Sequence, residues 1–117
     1  MKTEQVVSTK TAEHYNWGEG CDGWFLLKSA GFHVIEERMP PGAEEMRHFH
    51  DRAEQLFYVL AGEVTMRFDG RSVRVGPREA VRVAAEEAHQ AANESGEVVA
   101  FLVISCPPSH GDRSNVE

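Results

Sequence analysis

GAEEMRHFHDRAEQLFYVLAG, residues 42–62, decides how the chain folds. Side chains alternate faces along a strand, so Met46, His48 and His50 share one side, and a slip of one residue would expel all three. The run after them splits into two rows, Gln55, Phe57 and Val59 on one side and Leu56, Tyr58 and Leu60 on the other. Both rows are largely apolar, which predicts a strand covered on both faces, as in a barrel packed against a flanking segment or a second subunit. Pro40-Pro41-Gly42 bounds the stretch on one side, because proline leaves no amide hydrogen for ladder pairing, and Ala61-Gly62 breaks the chain on the other.

Outward from this stretch the chain reads as short apolar or alternating runs punctuated by Gly, Pro and Asp-Gly. That pattern argues for strands. The expected strands are Trp24 to Leu27, Phe32 to Met39, Met46 to His50, Gln55 to Leu60, Glu63 to Phe68, Arg71 to Val75, Ala80 to Val83, His89 to Asn93 and Val98 to Ser105. So many short strands imply an all-β sandwich or barrel. Asp69-Gly70 predicts a two-residue hairpin with positive φ angles, and Gly76-Pro77 ends the strand after it. Ala84 to Ala92 has helix propensity, yet the all-β context argues for a loop leading into a strand. The barrel is expected to occupy about residues 24–105 of a single domain spanning 1–117, with an irregular N-terminal arm and an irregular tail after Cys106.

Composition narrows the function classes. The chain has 117 residues, 41% of them hydrophobic and 26% charged, the balance of a globular domain. Twelve Lys and Arg against nineteen Asp and Glu leave a net charge of -7, which lacks the phosphate attraction that nucleic-acid binding needs. No apolar run approaches the ~20 residues of a membrane span, and the start has no signal-peptide core, so a cytoplasmic location is expected. Cys21 and Cys106 form no Cys-x-x-Cys pair and read as reduced thiols. Six histidines in so short and acidic a chain are the feature that calls for an explanation.

Two imidazoles one residue apart on a strand stand on the same side, close enough to bind one metal ion. The run Gly42-AEEMR-His48-Phe49-His50-DRA-Glu54-Gln55-LFYVLA-Gly62 resembles the first motif of the cupin superfamily, in which Gly, His-x-His, a Glu and a Gly recur at set spacings. Gly42, His48, His50 and Gly62 match it. For the fourth ligand, Glu54 satisfies one gap, whereas Gln55 satisfies both the gap from His50 and the gap to Gly62, so spacing favours Gln55. In the second motif His89 and Asn93 keep their spacing, but Arg78, Ala84 and Glu86 stand where Gly, Pro and Gly are expected. Those losses fall on turn residues and put the loop geometry in question. The flanks, Gly20-Cys-Asp-Gly-Trp24 and Ser109-His110-Gly111-Asp112-Arg113, are similar to those of small bacterial cupins.

The resemblance implies a double-stranded β-helix, or jelly-roll barrel, binding one divalent transition metal (Fe, Mn, Ni, Co, Cu or Zn) through His48, His50, His89 and either Gln55 or Glu54. It also implies a homodimer. His14, His33 and His110 match no ligand position, and Asn93 reads as a loop tie. With Gln55 every protein ligand is neutral, so the metal charge would favour an anionic oxygen ligand. Such a metal acts as a Lewis acid for isomerase, lyase or hydrolytic chemistry, or as a redox centre for a dioxygenase. The alternative is a non-catalytic module that binds a metabolite or metal; a barrel that has lost its metal ranks below both. Tyr58, Glu45 and Glu54 are candidate acid–base groups, and Trp24 and Phe25 candidate mouth residues.

Overall fold

A computed structural model describes residues 6–109 and 111–116. Among them the chain forms strands β1 (Glu13–Trp17), β2 (Cys21–Lys28), β3 (His33–Met39), β4 (His48–His50), β5 (Glu54–Ala61), β6 (Val64–Phe68), β7 (Arg71–Val75), β8 (Ala80–Val83), β9 (His89–Ala92), β10 (Val99–Cys106) and β11 (Arg113–Asn115). They pair into a six-stranded sheet of order β1-β2-β3-β10-β5-β8 and a five-stranded sheet of order β11-β4-β9-β6-β7. No helix among the described residues is long and apolar enough to cross a membrane.

Each expected run contains a strand, with ends shifted by at most three residues. The row Gln55, Phe57 and Val59 points between the sheets, where it meets Met39, Val64, Met66, Phe101 and Val103. Phe101, Met39 and Met66 are fully buried, each contributing on the order of 1.5–3 kcal/mol of hydrophobic stabilisation. The opposite row is not covered within the chain: Leu56 is 38% exposed and Leu60 42%.

Three local expectations are corrected and a fourth, the loop leading into a strand over the alanine-rich stretch, is met. Met46 lies outside β4 and is exposed, because β4 starts only at His48, where pairing with β9 begins. In the β6–β7 hairpin only Gly70, at φ 77°, enters the left-handed region; Asp69 does not, and its carboxylate instead pairs with Arg47. The N-terminal arm and tail are not wholly irregular. β1 pairs with β2, and β11 extends the second sheet by pairing with β4. Asp112 secures that tail: its Oδ2 accepts from the amides of Arg52 (3.0 Å) and Ala53 (2.9 Å). The alanine-rich stretch forms a turn and then β9, where Gln90 to Ala92 pair with β6 and override helix propensity.

The degenerate second motif keeps its turns. Arg78, at φ 66°, and Glu86, at φ 70°, are the non-glycine residues with positive φ among those described, and both stand where the resemblance puts glycine. Backbone bonds hold them there: Arg78 N donates to Val59 O at 2.8 Å and Glu86 N to His50 O at 2.6 Å. In the first motif Gly42 (φ 83°) and Gly62 (φ 82°) also lie in this region, and a Cβ on Gly62 would stand 2.6 Å from Val98 O.

Candidate metal centre

His48 and His89 face each other across the β4–β9 pair, and His50 follows two residues on, so strand parity brings all three imidazoles to one interior face. One ligand atom from each lies within 4.8 Å of the others. The rings of His48 and His89 have centroids 4.4 Å apart, and those of His48 and His50 4.9 Å. All three residues are buried. His48 Nδ1 lies 2.7 Å from Met46 O and His89 Nδ1 2.9 Å from Glu87 O. A ring nitrogen beside a carbonyl oxygen carries the proton, so Nδ1–H donates in each case and Nε2 keeps its lone pair for a metal.

Gln55 comes from the other sheet. Its Nε2 donates to Ser105 Oγ at 2.9 Å across the β5–β10 pair, while Oε1 is buried without a hydrogen-bond partner. Nε2 of His89 and both ring nitrogens of His50 are likewise buried without one. Unsatisfied buried polar atoms cost on the order of 1–3 kcal/mol each, so three clustered imidazoles that carry them fit a metal ion. Burial lowers the pKa of all three histidines, that of His48 to about 3. The imidazoles are therefore neutral, the form that binds a metal.

Glu54 is placed elsewhere. It sits one residue out of phase with Gln55, lies exposed on the outer face and pairs with Arg82. His14 forms an exposed ion pair with Asp22 at 2.8 Å, His33 is buried against the edge of Phe25, and His110 lies outside the described residues. Asn93 ties a loop: its Nδ2 donates to Met39 O (3.0 Å) and Glu97 O (2.7 Å). Tyr58 lies in the outer row of β5; Phe25 is buried, and Trp24 carries Arg38 against its ring.

His48, His50 and Gln55 open onto a cavity of about 250 Å³. Glu45, singled out from the sequence, lines it, as do Phe57, which shares the row of Gln55, and Tyr15, Trp17, Glu37 and Arg113, which sequence reasoning passed over. Two signals pointed to some of these. Glu37 is in phase with the buried Ile35 and Met39, and Gly23 interrupts an otherwise bulky strand. Arg113 gave none, since its position depends on β11 joining β4.

Residues 35–105 match the Cupin domain family. A 71-residue stretch is 31% identical to quercetin 2,3-dioxygenase of Bacillus subtilis, covering 61% of this chain but only 19% of that enzyme. The polyketide cyclase RemF of Streptomyces resistomycificus superposes with a TM-score of 0.85 at 22% identity, over 98% of this chain and 87% of the cyclase. A conserved protein with a double-stranded β-helix domain from Klebsiella pneumoniae gives 0.80 at 17% identity, over 98% and 99% of the two chains. The two structural likenesses carry the fold, the family match covers more than half of the sequence, and the chain belongs to the cupin family.

Proposed function

We propose that the protein holds one divalent transition metal through His48, His50, His89 and Gln55, and acts on a small, anionic organic molecule in the cavity beside it. Three buried imidazoles with ligand atoms within 4.8 Å of one another carry this reading, and Gln55, whose Oε1 is buried and unpartnered, lines the same cavity as His48 and His50. When bound, such an ion supplies Lewis acidity toward an oxygen ligand or, as iron or copper, redox chemistry. All four protein ligands are neutral, so an anionic oxygen donor completes the charge balance. Phe57 and Val103 give the cavity apolar walls, and Arg113 lines it with a positive charge for an incoming anion. The fold hosts many reactions, so the choice among isomerase, lyase and dioxygenase chemistry rests with the cavity residues.

The test is elemental analysis of protein purified without chelator, beside the His48→Ala, His50→Ala double variant. About one metal per chain, lost in the double variant, supports the site; equal content in both removes it. Turnover of a candidate substrate that ends on chelation and returns with one metal identifies an enzyme. Tight binding without turnover identifies a binding module.

We also propose that two copies pair through the outer face of the six-stranded sheet. Leu56 and Leu60 stand exposed there beside Tyr58, on a strand whose two faces are both apolar.

A further inference from the structure

The cavity has a second wall of different chemistry. Glu37 from β3 and Tyr15 from β1 line it, with Glu45 from the segment before β4 and Arg113 from β11. Glu37 points inward because it shares a face with Ile35 and Met39. A carboxyl set between the buried Ile35 and Met39 is unfavourable unless it is bonded or used.

Its partner reaches it across an intervening strand. Tyr15 is in register with Gly23 on β2, and Gly23 with Glu37 on β3. The missing side chain at Gly23 makes room for the Tyr15 ring: a Cβ there would stand 2.3 Å from Cζ and 2.6 Å from Oη. Over this gap Tyr15 Oη donates to Glu37 Oε2 at 3.1 Å. Glu37 Oε1 takes no hydrogen bond among the described residues. Glu45 is differently placed, since its Oε1 accepts from Ala91 N at 3.0 Å and is tied to β9.

We propose that Glu37, positioned by Tyr15, is the acid–base residue of the cavity and exchanges a proton with an oxygen of the ligand held against the histidine cluster. The proposal rests on the metal-site reading and adds a substrate class, an oxyanion that carries a second oxygen, hydroxyl or carbonyl, facing Glu37. In the acid direction the Glu37 O–H bond breaks, its electron pair stays on the carboxylate, and a lone pair on the ligand oxygen forms the new O–H bond. The reverse step returns the proton, and neither needs an oxidant or reductant. Tyr15 keeps its own proton, because burial and the adjacent Glu37 push the phenol far above its ordinary range.

The electrostatic setting agrees. Burial, then the charge of Glu45, push Glu37 up to about 8, against the pull of the Tyr15 hydrogen bond and of Arg113. His48 and His50 share the cavity as neutral rings, and the register neighbours on β2 and β10, Gly23 and Phe101, carry no charge. A group titrating near neutrality both gives and takes a proton.

Two measurements test this. In metal-free protein carrying 13C-labelled glutamate, NMR titration should show two carboxyls with midpoints above the rest, Glu37 at about 8 and Glu45 at about 7, and Glu37→Gln should remove the higher one. Tyr15→Phe should move that midpoint upward, since the phenol favours the carboxylate, and Gly23→Ala should do the same by displacing the ring. A midpoint in the ordinary carboxylate range, or one that Tyr15→Phe leaves in place, overturns the pairing. In zinc-loaded protein, calorimetry of oxalate binding in buffers of different ionisation enthalpy at about pH 8 counts protons. Wild type should take up a fraction of a proton, because the bound anion raises Glu37, whereas Glu37→Gln should bind oxalate with clearly less uptake, the remainder coming from Glu45. Binding without uptake in wild type overturns the acid–base role. Failure to bind zinc or oxalate instead overturns the metal-site reading, and the metal-free titration still decides the pairing.

Discussion

Ser105 orients Gln55. The two residues are in register across β5 and β10, and the 2.9 Å hydrogen bond from Gln55 Nε2 to Ser105 Oγ leaves Oε1 as the free, buried acceptor. An amide can offer a metal only its oxygen, so the bond determines whether Gln55 serves as a ligand at all.

Ser105→Ala is therefore expected to weaken metal binding by about 10- to 100-fold while leaving the fold intact, the usual effect of losing a group that orients a ligand. Competition with a metal indicator checks it. Unchanged affinity would show that the amide orientation is held by other means.

Glu37→Gln should change how stability depends on pH. Glu37 titrates at about 8 when folded, against 4.5 ordinarily. Between those values the folded state binds more protons than the unfolded one, so this contribution is fully present below about pH 4.5 and is lost as pH rises through about 8. Glu45, raised to about 7, acts with the same sign. The buried histidines, lowered from 6.5, act with the opposite sign and only below it. Urea unfolding of metal-free protein at about pH 6.5 and about pH 9 should show wild type losing stability and Glu37→Gln losing less of it. Equal losses would place the Glu37 pKa in the ordinary range.

Arg78→Gly and Glu86→Gly should each stabilise the protein. Both positions have left-handed backbone, φ 66° and 70°, which costs a residue with a Cβ ~1–2 kcal/mol. The added freedom of glycine in the unfolded chain offsets part of that, leaving a gain of ~0.5–1 kcal/mol. The shift in urea midpoint measures it, and a loss of stability at either site would mean that its side chain makes a contact worth more than the strain.

Leu56→Glu with Leu60→Glu is expected to yield a monomer that keeps its metal. Sedimentation of wild type at micromolar concentration should give twice the 13.1 kDa chain mass, and the double variant that mass. A wild type sedimenting as the single chain would end the dimer proposal.

Strand parity carried most of what was legible beforehand. Alternation along one strand is a local property, so His48 and His50 on one face, and Gln55 in a different row from Glu54, could be read directly. Their burial follows from that alternation. Turn chemistry was legible where glycine or proline announced it and illegible at Arg78 and Glu86, whose amides donate to the distant carbonyls of Val59 and His50 and so hold the turn on residues that do not favour it.

By itself the sequence determined the all-β class, the strand runs, and three histidines at the spacings of the cupin motifs, with Gln55 and Glu54 as alternatives for a fourth ligand. Only the tertiary structure decided which strands lie side by side. Strand pairing within each sheet places Gln55 on Ser105, lays Tyr15 over Gly23 onto Glu37, and brings Arg113 beside His50 through β11. Spacing along the chain reports which face a residue takes, whereas its neighbour across the sheet depends on a partner strand tens of residues away. The three histidines and Gln55 were therefore visible in the two motifs, whereas the Tyr15–Glu37 pair appeared only once β1, β2 and β3 were aligned.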